Sequence, residues 1–284
     1  MTKSASRTAR ANPAPRRLAL AAAVLWLGLQ AIPATASAQS CRLAIQPVLG
    51  EAQTRAAYRP LADYLSALTG SPCTVVTRPN FFSYWDFVRR GKDFEFVLDA
   101  AHFTDYRVAK LGFVVLAKVP DAVSYSLIVS DQNPIFDPSE LVARRIATFG
   151  IPSIGAARLQ AMFPNPVRQP VSVEVDSAEQ GIKLLLSGKV AGAILPTPLV
   201  SLQMATGGGI SVVVVTEPIP HIALSAAPTV DPETRERVRQ ALLTAHRSDD
   251  GKKMLEGIGF EKFDPATAAV YANQSGILKE YWGY

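Results

Sequence analysis

The sequence is poor in the residues that build metal centres and disulfide frameworks. It has two cysteines and three histidines in 284 residues, and His102, His221 and His246 lie far apart in the chain. Structural zinc sites use closely spaced Cys and His ligands. The composition therefore argues against a bound metal, and no motif predicts another cofactor.

The sequence also lacks an excess of positive charge once its first 38 residues are set aside. The whole chain has 29 Lys and Arg against 24 Asp and Glu, but residues 1–38 hold five basic residues and no acidic one. Residues 39–284 therefore carry 29 − 5 = 24 basic and 24 acidic residues. This balance gives no reason to expect a nucleic acid partner. No transmembrane run, tandem repeat or low-complexity tract occurs after residue 38.

Residues 1–38 are predicted to be a cleavable signal peptide. Basic residues from Lys3 to Arg17 precede an apolar run over 18–29, and Ala36-Ser37-Ala38 fits a cleavage site. The apolar run is short for a membrane span. We expect export to the periplasm by the general secretory route rather than by the twin-arginine route that Arg16-Arg17 suggests. The remaining 284 − 38 = 246 residues suit two modest domains.

The two cysteines are Cys41 and Cys73, and each opens a predicted strand. Disulfides persist in exported proteins. If the two strands are parallel neighbours, the sulfurs lie at the same end of the sheet, so we predict a Cys41–Cys73 disulfide. The alternative is that Cys41 carries a lipid, although Ala38-Gln39-Ser40 matches a lipoprotein cleavage box poorly.

Strand and helix patterns alternate along the chain, which predicts an α/β fold. The first predicted set has strands at 42–48, 73–77, 94–98 and 113–118, with helices at 51–68, 81–90 and 103–111. After a strand at 123–130, the second set has strands at 145–149, 171–175, 190–194 and 211–215, with helices at 153–163, 177–187 and 197–205. Pro218 and Pro220 are predicted to bracket a turn. A strand at 221–226 and helices at 232–246, 251–257 and 265–273 complete the pattern, and Asp231 is predicted to cap the first of these helices.

This order indicates two α/β lobes, the second inserted into the first. We predict lobe 1 over 39–122 plus 222–284 and lobe 2 over 123–221, with crossings near 122–125 and 218–222. A ligand of such a protein binds between the lobes, at the ends of strands and the starts of helices.

The stretch around Ser153 is the clearest candidate for an anion site. A predicted buried strand ends at Gly150-Ile151-Pro152, and a helical pattern begins at Ser153. Free N–H groups and the helix dipole favour an anion at such a start. Ser153 is either a helix cap or a hydroxyl donor to a ligand.

The order and spacing of several short motifs resemble the periplasmic substrate-binding proteins of phosphate, phosphite and phosphonate ABC importers. The motifs are Arg42-Leu-Ala-Ile-Gln-Pro-Val, Tyr58-Arg-Pro-Leu-Ala-Asp-Tyr-Leu, Tyr84-Trp-Asp-Phe-Val-Arg-Arg-Gly, Tyr125-Ser-Leu-Ile-Val-Ser with 135–141, the Ser153 turn, and Gly251-Lys-Lys-Met-Leu-Glu-Gly-Ile-Gly-Phe-Glu-Lys-Phe. The resemblance covers nearly all of 42–265. It implies a type II periplasmic-binding-protein fold, with each lobe a mainly parallel sheet flanked by helices. It also implies a small anionic ligand and an ABC permease in the inner membrane as partner. We expect the protein to be a monomer.

The resemblance assigns the ligand site to Ser153, Ile154, Gly155, Tyr84 and Tyr125. At the Ser153 turn the family has more hydroxyls than this chain. The family has Gly-Pro and then a Tyr at the positions where this chain has Asp99-Ala100 and Phe103. It also often has an acidic residue near the position of Ala191. Asp99 and Ala100 are predicted to lie at the ligand site, where Asp99 either contacts the ligand or caps the next helix. Thr197 is expected to face the cleft. Fewer hydroxyls predict weak binding of simple phosphonates, or a different organic acid or zwitterion as ligand.

An enzyme is the less favoured interpretation. Gly150-Ile-Pro-Ser153-Ile-Gly differs in spacing from the Gly-x-Ser-x-Gly nucleophile turn. None of the three histidines lies in a catalytic motif, although His221 at the lobe crossing could face the cleft. A sensory module that presents its ligand to a membrane receptor remains an alternative to transport.

Overall fold

The computed structural model describes residues 41–281, 283 and 284, so the predicted signal peptide lies outside the described residues. The described part of the chain contains twelve strands. They are β1 Cys41–Ile45, β2 Cys73–Val76, β3 Phe96–Asp99, β4 Val114–Lys118, β5 Ala122–Val123, β6 Tyr125–Ser130, β7 Arg145–Thr148, β8 Val171–Glu174, β9 Gly192–Pro196, β10 Ile210–Val215, β11 Ile219–Pro220 and β12 Ala223–Ala226.

Ten α-helices fall within the same described residues. They are α1 Glu51–Ala57, α2 Arg59–Thr69, α3 Phe81–Val88, α4 Ala101–Leu111, α5 Ile154–Met162, α6 Ala178–Leu186, α7 Thr197–Thr206, α8 Pro232–Thr244, α9 Asp249–Ile258 and α10 Ala268–Tyr271. Short 3₁₀ turns occupy Pro138–Leu141, Pro166–Arg168, Ala245–Arg247 and Gln274–Leu278.

The strands form two five-stranded sheets with the same arrangement. The first has the order β2-β1-β3-β12-β4 and the second the order β8-β7-β9-β6-β10. In each sheet four strands share one direction, and the fourth strand in the order, β12 or β6, runs against them. Strand β3 is buried along its whole length, as expected for a sheet covered by helices on both faces. The predicted fold of two mainly parallel sheets is confirmed.

A short ribbon of β5 and β11 joins the sheets where the chain crosses between them. Ile219 pairs with Val123, and Pro220 pairs with Ala122. The predicted turn at 218–220 is therefore wrong, because the segment pairs as a strand. Proline has no backbone N–H, and an edge strand tolerates it because its outward-facing side needs no hydrogen-bond donor. The lobe boundaries at 122/123 and 221/222, which fall at this ribbon, stay a prediction.

Two predicted helices are interrupted. The predicted helix at 51–68 divides at Tyr58 into α1 and α2, with Pro60 in the first turn of α2. Pro60 has no N–H for the carbonyl of residue 56, so one continuous helix would lose a hydrogen bond there. The predicted helix at 265–273 is only the short α10, which is followed by a 3₁₀ turn.

Helix starts elsewhere follow local sequence signals. Asp231 caps α8 by accepting a hydrogen bond from Thr234 N, as predicted. Ser248 caps α9 in the same way through Gly251 N. Each cap satisfies one of the backbone donors that a helix start leaves free.

Cys41 and Cys73 are joined by a disulfide bond across β1 and β2. The two strands are parallel neighbours, and Cys41 lies opposite Cys73 in their register. Both side chains are buried. The bond leaves no free thiol on Cys41 for the alternative acyl group.

Candidate functional site

A cavity of about 430 Å³ lies between the two sheets. Strands β1, β3 and β9 end at it, and β6 begins at it, so the sheet edges that usually carry ligand sites face one another. The cavity is lined by Ile45, Gln46, Val48, Leu49, Tyr58, Leu98, Ala100, Val123, Tyr125, Pro196, Pro198, Leu199, Leu202, Pro220, His221, Ile222, Ile258, Gly259 and Phe260.

The Ser153 turn follows β7 and begins α5. Gly150 has a φ of +72°, a left-handed backbone conformation that favours glycine. Ser153 Oγ accepts a hydrogen bond of 3.2 Å from Ala156 N, so Ser153 is the helix cap. An oxygen that accepts in this way can still donate its own hydrogen to a ligand.

The first backbone donors of α5 are buried and unused. Ser153 is 1 % exposed and Ile154 5 %, and Gly155 is buried as well. Within the described residues, Ile154 N–H and Gly155 N–H have no hydrogen-bond acceptor. Buried backbone donors of native proteins are almost always paired, so these two groups point to an acceptor supplied by a ligand or by water.

The start of α4 in the first lobe faces the same turn. Ala100 stands at the cap position without a side-chain hydrogen bond. The N–H groups of Ala101, His102 and Phe103 also find no acceptor among the described residues, and all three residues are fully buried. Together the two helix starts present 2 + 3 = 5 buried, unused backbone donors.

His102 joins the two helix starts. Its Nε2 lies 3.0 Å from Pro152 O, and since a carbonyl only accepts, Nε2 carries the hydrogen. Burial lowers the pKa of His102 to about 3, so the ring is neutral near pH 7. Its Nδ1 is therefore a buried acceptor, and it has no partner in the described part of the chain.

Tyr125 lies between the α5 start and the cavity. A Cβ on Gly155 would be 3.4 Å from Tyr125 Cδ1 and 3.3 Å from Ile194 O, so glycine allows the ring to approach the helix start closely. Burial raises the pKa of Tyr125 well above its ordinary value, which keeps the phenol neutral. Its hydroxyl bonds to no other described residue and is free to donate.

The structure places Tyr84 and Asp99 beneath the α4 start. Asp99 is the last residue of β3 and is fully buried. Its carboxylate accepts hydrogen bonds of 2.7 and 2.6 Å from the two terminal nitrogens of Arg107, and one of 2.9 Å from the Tyr84 hydroxyl. The helix-cap interpretation of Asp99 is wrong, because Ala100 holds the cap position. The Tyr84 hydroxyl is thus bonded to Asp99, and the contact of Tyr84 with the ligand stays a prediction.

Thr197 lies beside the cavity rather than on its wall. Its Oγ1 is 2.9 Å from both Ser124 Oγ and Ser126 Oγ. Its N–H donates to Ser124 O at 2.9 Å. Ala100 does line the cavity, and its N–H donates to Gln46 Oε1 at 3.0 Å. Of the predicted residues, the structure therefore brings Ser153, Ile154, Gly155, Tyr125 and Ala100 towards the cleft, and their role as ligand contacts stays a prediction.

Sequence reasoning missed two polar groups of the cleft and only noted a third. Gln46 and Tyr58 lay inside quoted family motifs but were given no role, while His221 was noted as able to face the cleft. Burial raises the pKa of Tyr58 to about 12 and lowers that of His221 to about 4, so both are neutral. His221 Nδ1 accepts from Ile222 N at 2.8 Å, which leaves the hydrogen on Nε2. Tyr271 donates to His221 O at 2.8 Å and holds this segment in place.

The lobes touch on one side of the site. Phe149 of the second lobe stacks on Phe81 of the first, with ring centroids 5.5 Å apart. Ala178 N donates to Val48 O at 3.2 Å. Both contacts join residues of the two predicted lobes.

The described residues offer no metal cluster and no serine–histidine pair at the Ser153 turn. They contain no group of three or more His, Cys, Asp or Glu that could hold a metal ion. Ser153 Oγ has no histidine partner, as His102 bonds to a backbone carbonyl instead. No helix in this part of the chain is long and apolar enough to cross a membrane.

Residues 43–271 match the family described as "ABC transporter, phosphonate, periplasmic substrate-binding protein". The chain belongs to this family. The predicted family is therefore confirmed, and the family is one of transport proteins that bind substrates. A search of the curated proteins found no match.

Solved structures share the fold of this family member. PhnD1 from Prochlorococcus marinus, in complex with methylphosphonate, is 13% identical, with 84% of this chain and 97% of that chain covered and a TM-score of 0.72. A binding protein component of a phosphonate ABC transporter from Pseudomonas aeruginosa is 13% identical over 83% of each chain, with a TM-score of 0.65. A Xanthomonas citri protein bound to ATP is 14% identical, covers 84% of this chain and 96% of its own, and has a TM-score of 0.64.

Proposed function

We propose that this protein binds a small anionic solute between its lobes in the periplasm and delivers it to an ABC permease in the inner membrane. Export through a cleavable signal peptide at 1–38 and action as a monomer belong to this proposal. The family membership supports transport, and a similar solved structure holds methylphosphonate.

One observation carries the proposal: two helix starts from opposite lobes meet with five buried, unused N–H groups. Each helix start contributes partial positive charge. An oxyanion placed between Ile154 N–H and Gly155 N–H would supply the acceptors that these donors lack. In this proposal the Ser153 hydroxyl adds a further donor. A site that needs both lobes also explains how ligand binding would favour their contact.

Ser153→Ala should weaken binding of the anion roughly 10- to 100-fold, because one hydrogen bond to a charged group is lost. It should also lower the free energy of unfolding by about 1 kcal/mol, because the cap of α5 is lost. Isothermal titration calorimetry measures the affinity for phosphate, phosphite, methylphosphonate, aminoethylphosphonate and a panel of carboxylates. Urea unfolding measures the stability.

Ser248→Ala is the matched control. Ser248 caps α9 through a hydrogen bond of the same 3.2 Å length and lies outside the cleft. It should lose similar stability and keep the affinity of the unsubstituted protein. Tight anion binding that Ser153→Ala leaves unchanged would place the site elsewhere, and no binding across the whole panel would contradict anion capture.

A further inference from the structure

The walls of the interlobe cavity carry no formal charge. None of its nineteen lining residues is Asp, Glu, Lys or Arg. Most of the lining is aliphatic, proline or aromatic; Leu98, Leu199, Ile258 and Phe260 are examples. An apolar wall favours an apolar occupant over water. Such a lining is therefore poorly suited to an inorganic ion on its own.

The cavity is also large for an inorganic anion. Its volume of about 430 Å³ has room for roughly fourteen waters at the volume per molecule of liquid water, about 30 Å³. Phosphate has only five non-hydrogen atoms. If phosphate bound at the helix starts, most of the cavity would hold water against apolar side chains. The volume falls within the range of pockets that bind organic molecules.

The few polar groups on the wall are neutral and able to donate. The hydroxyls of Tyr58 and Tyr125 make no hydrogen bond within the described residues, and the hydrogen on His221 Nε2 has no acceptor there either. Neutral donors such as these can hydrogen-bond an acidic group. They offer no counter-ion to a second acidic group or to a cation deeper in the cavity.

We infer that the ligand is an organic anion with a single acidic group and an apolar body of about the size of a hexyl or phenyl group. The acidic group lies by Tyr125 and the α5 start, and the body fills the cavity between α7 and the end of α9. This inference rests on the proposed function and specifies the substrate class. The shared chemistry is an anionic head on an apolar tail, and the head is a phosphonate or a carboxylate.

A chain-length series tests the inference on the purified protein. Calorimetry compares methyl-, butyl-, hexyl- and phenylphosphonate, with hexanoate as the carboxylate and hexanol as the uncharged analogue. Each buried methylene should tighten binding about fourfold until the cavity is full. Phenylphosphonate should therefore bind roughly 10- to 150-fold more tightly than methylphosphonate. Comparing hexylphosphonate with hexanoate identifies the head group.

Leu199→Trp supplies the matched variant. Leu199 is a wall residue on α7, and the larger indole should take up space in the cavity. The Leu199→Trp variant should abolish the increase in affinity that the hexyl and phenyl groups give. Its affinity for methylphosphonate should stay within about threefold of that of the unsubstituted protein. Met204→Trp is the control, because it adds the same side chain to the same helix at a half-exposed position that does not line the cavity. It should change neither the affinity for methylphosphonate nor the affinity for the longer phosphonates.

The outcomes separate this inference from the proposed function. If phosphate or methylphosphonate binds as tightly as the longer members, and Leu199→Trp has no effect on the series, the inference is overturned and anion capture stands. If hexanol binds as tightly as hexylphosphonate and hexanoate, anion capture is overturned and only an apolar cavity remains. If no compound binds, both are overturned.

Discussion

Asp99→Asn should lower the free energy of unfolding by about 3–5 kcal/mol, the usual cost of removing one partner of a buried ion pair. Asp99 and Arg107 are both fully buried, and their two hydrogen bonds of 2.6 and 2.7 Å form a bidentate pair. Without the carboxylate, the guanidinium would stay in the core without a counter-ion. Urea unfolding followed by circular dichroism measures the loss.

Asp63→Asn is the control for this variant. Asp63 pairs with Arg59 at 3.6 Å, but the side chains are 67% and 79% exposed. Water already solvates both charges, so the change in stability should stay below about 1 kcal/mol. Replacing both buried partners, as Asp99→Leu with Arg107→Met, should recover part of the loss because no unpaired charge remains. Equal losses for Asp99→Asn and Asp63→Asn would contradict the proposed energetic role of the buried pair.

The same pair links stability to the binding site. Asp99 ends β3 directly before the α4 start, and Arg107 lies in the same helix about two turns later. The Tyr84 hydroxyl donates to the same carboxylate at 2.9 Å, and burial raises the pKa of this tyrosine well above its ordinary value. The cluster therefore fixes where the free N–H groups of α4 point. We expect Asp99 to position the site without touching the ligand.

Reducing the Cys41–Cys73 disulfide should lower the free energy of unfolding by about 3–4 kcal/mol. The bond closes a loop with a sequence separation of 32, and the loop-entropy relation gives this size of effect. Urea unfolding with and without dithiothreitol measures it on the same chain. The double variant Cys41→Ala with Cys73→Ala should have the same free energy of unfolding as the reduced protein, and dithiothreitol should not change it. Two free thiols in denatured, unreduced protein would contradict the bond.

Local patterns in the sequence were enough to predict the α/β class, most of the strands and helices, and the helix starts at Ser153 and Asp231. The reason is that capping and apolar periodicity act within a few residues. The pairing of Cys41 with Cys73 also followed, because each opens a strand of the same unit. The order of the predicted strands and helices indicated two lobes, and the family motifs added the type II binding-protein fold. The structure and its solved neighbours confirm a two-lobe fold.

Only the tertiary structure decided what the cleft contains. The pairing of Asp99 with Arg107 depends on how α4 packs on its sheet, and no spacing rule distinguishes Asp99 from a helix cap in the sequence. The cavity wall joins Tyr58, Tyr125 and His221, which are separated by about seventy residues or more along the chain, so their shared position depends on the two crossings. The neutral, apolar character of the cavity is a property of that assembled wall, because the charged residues of the sequence lie elsewhere in the fold.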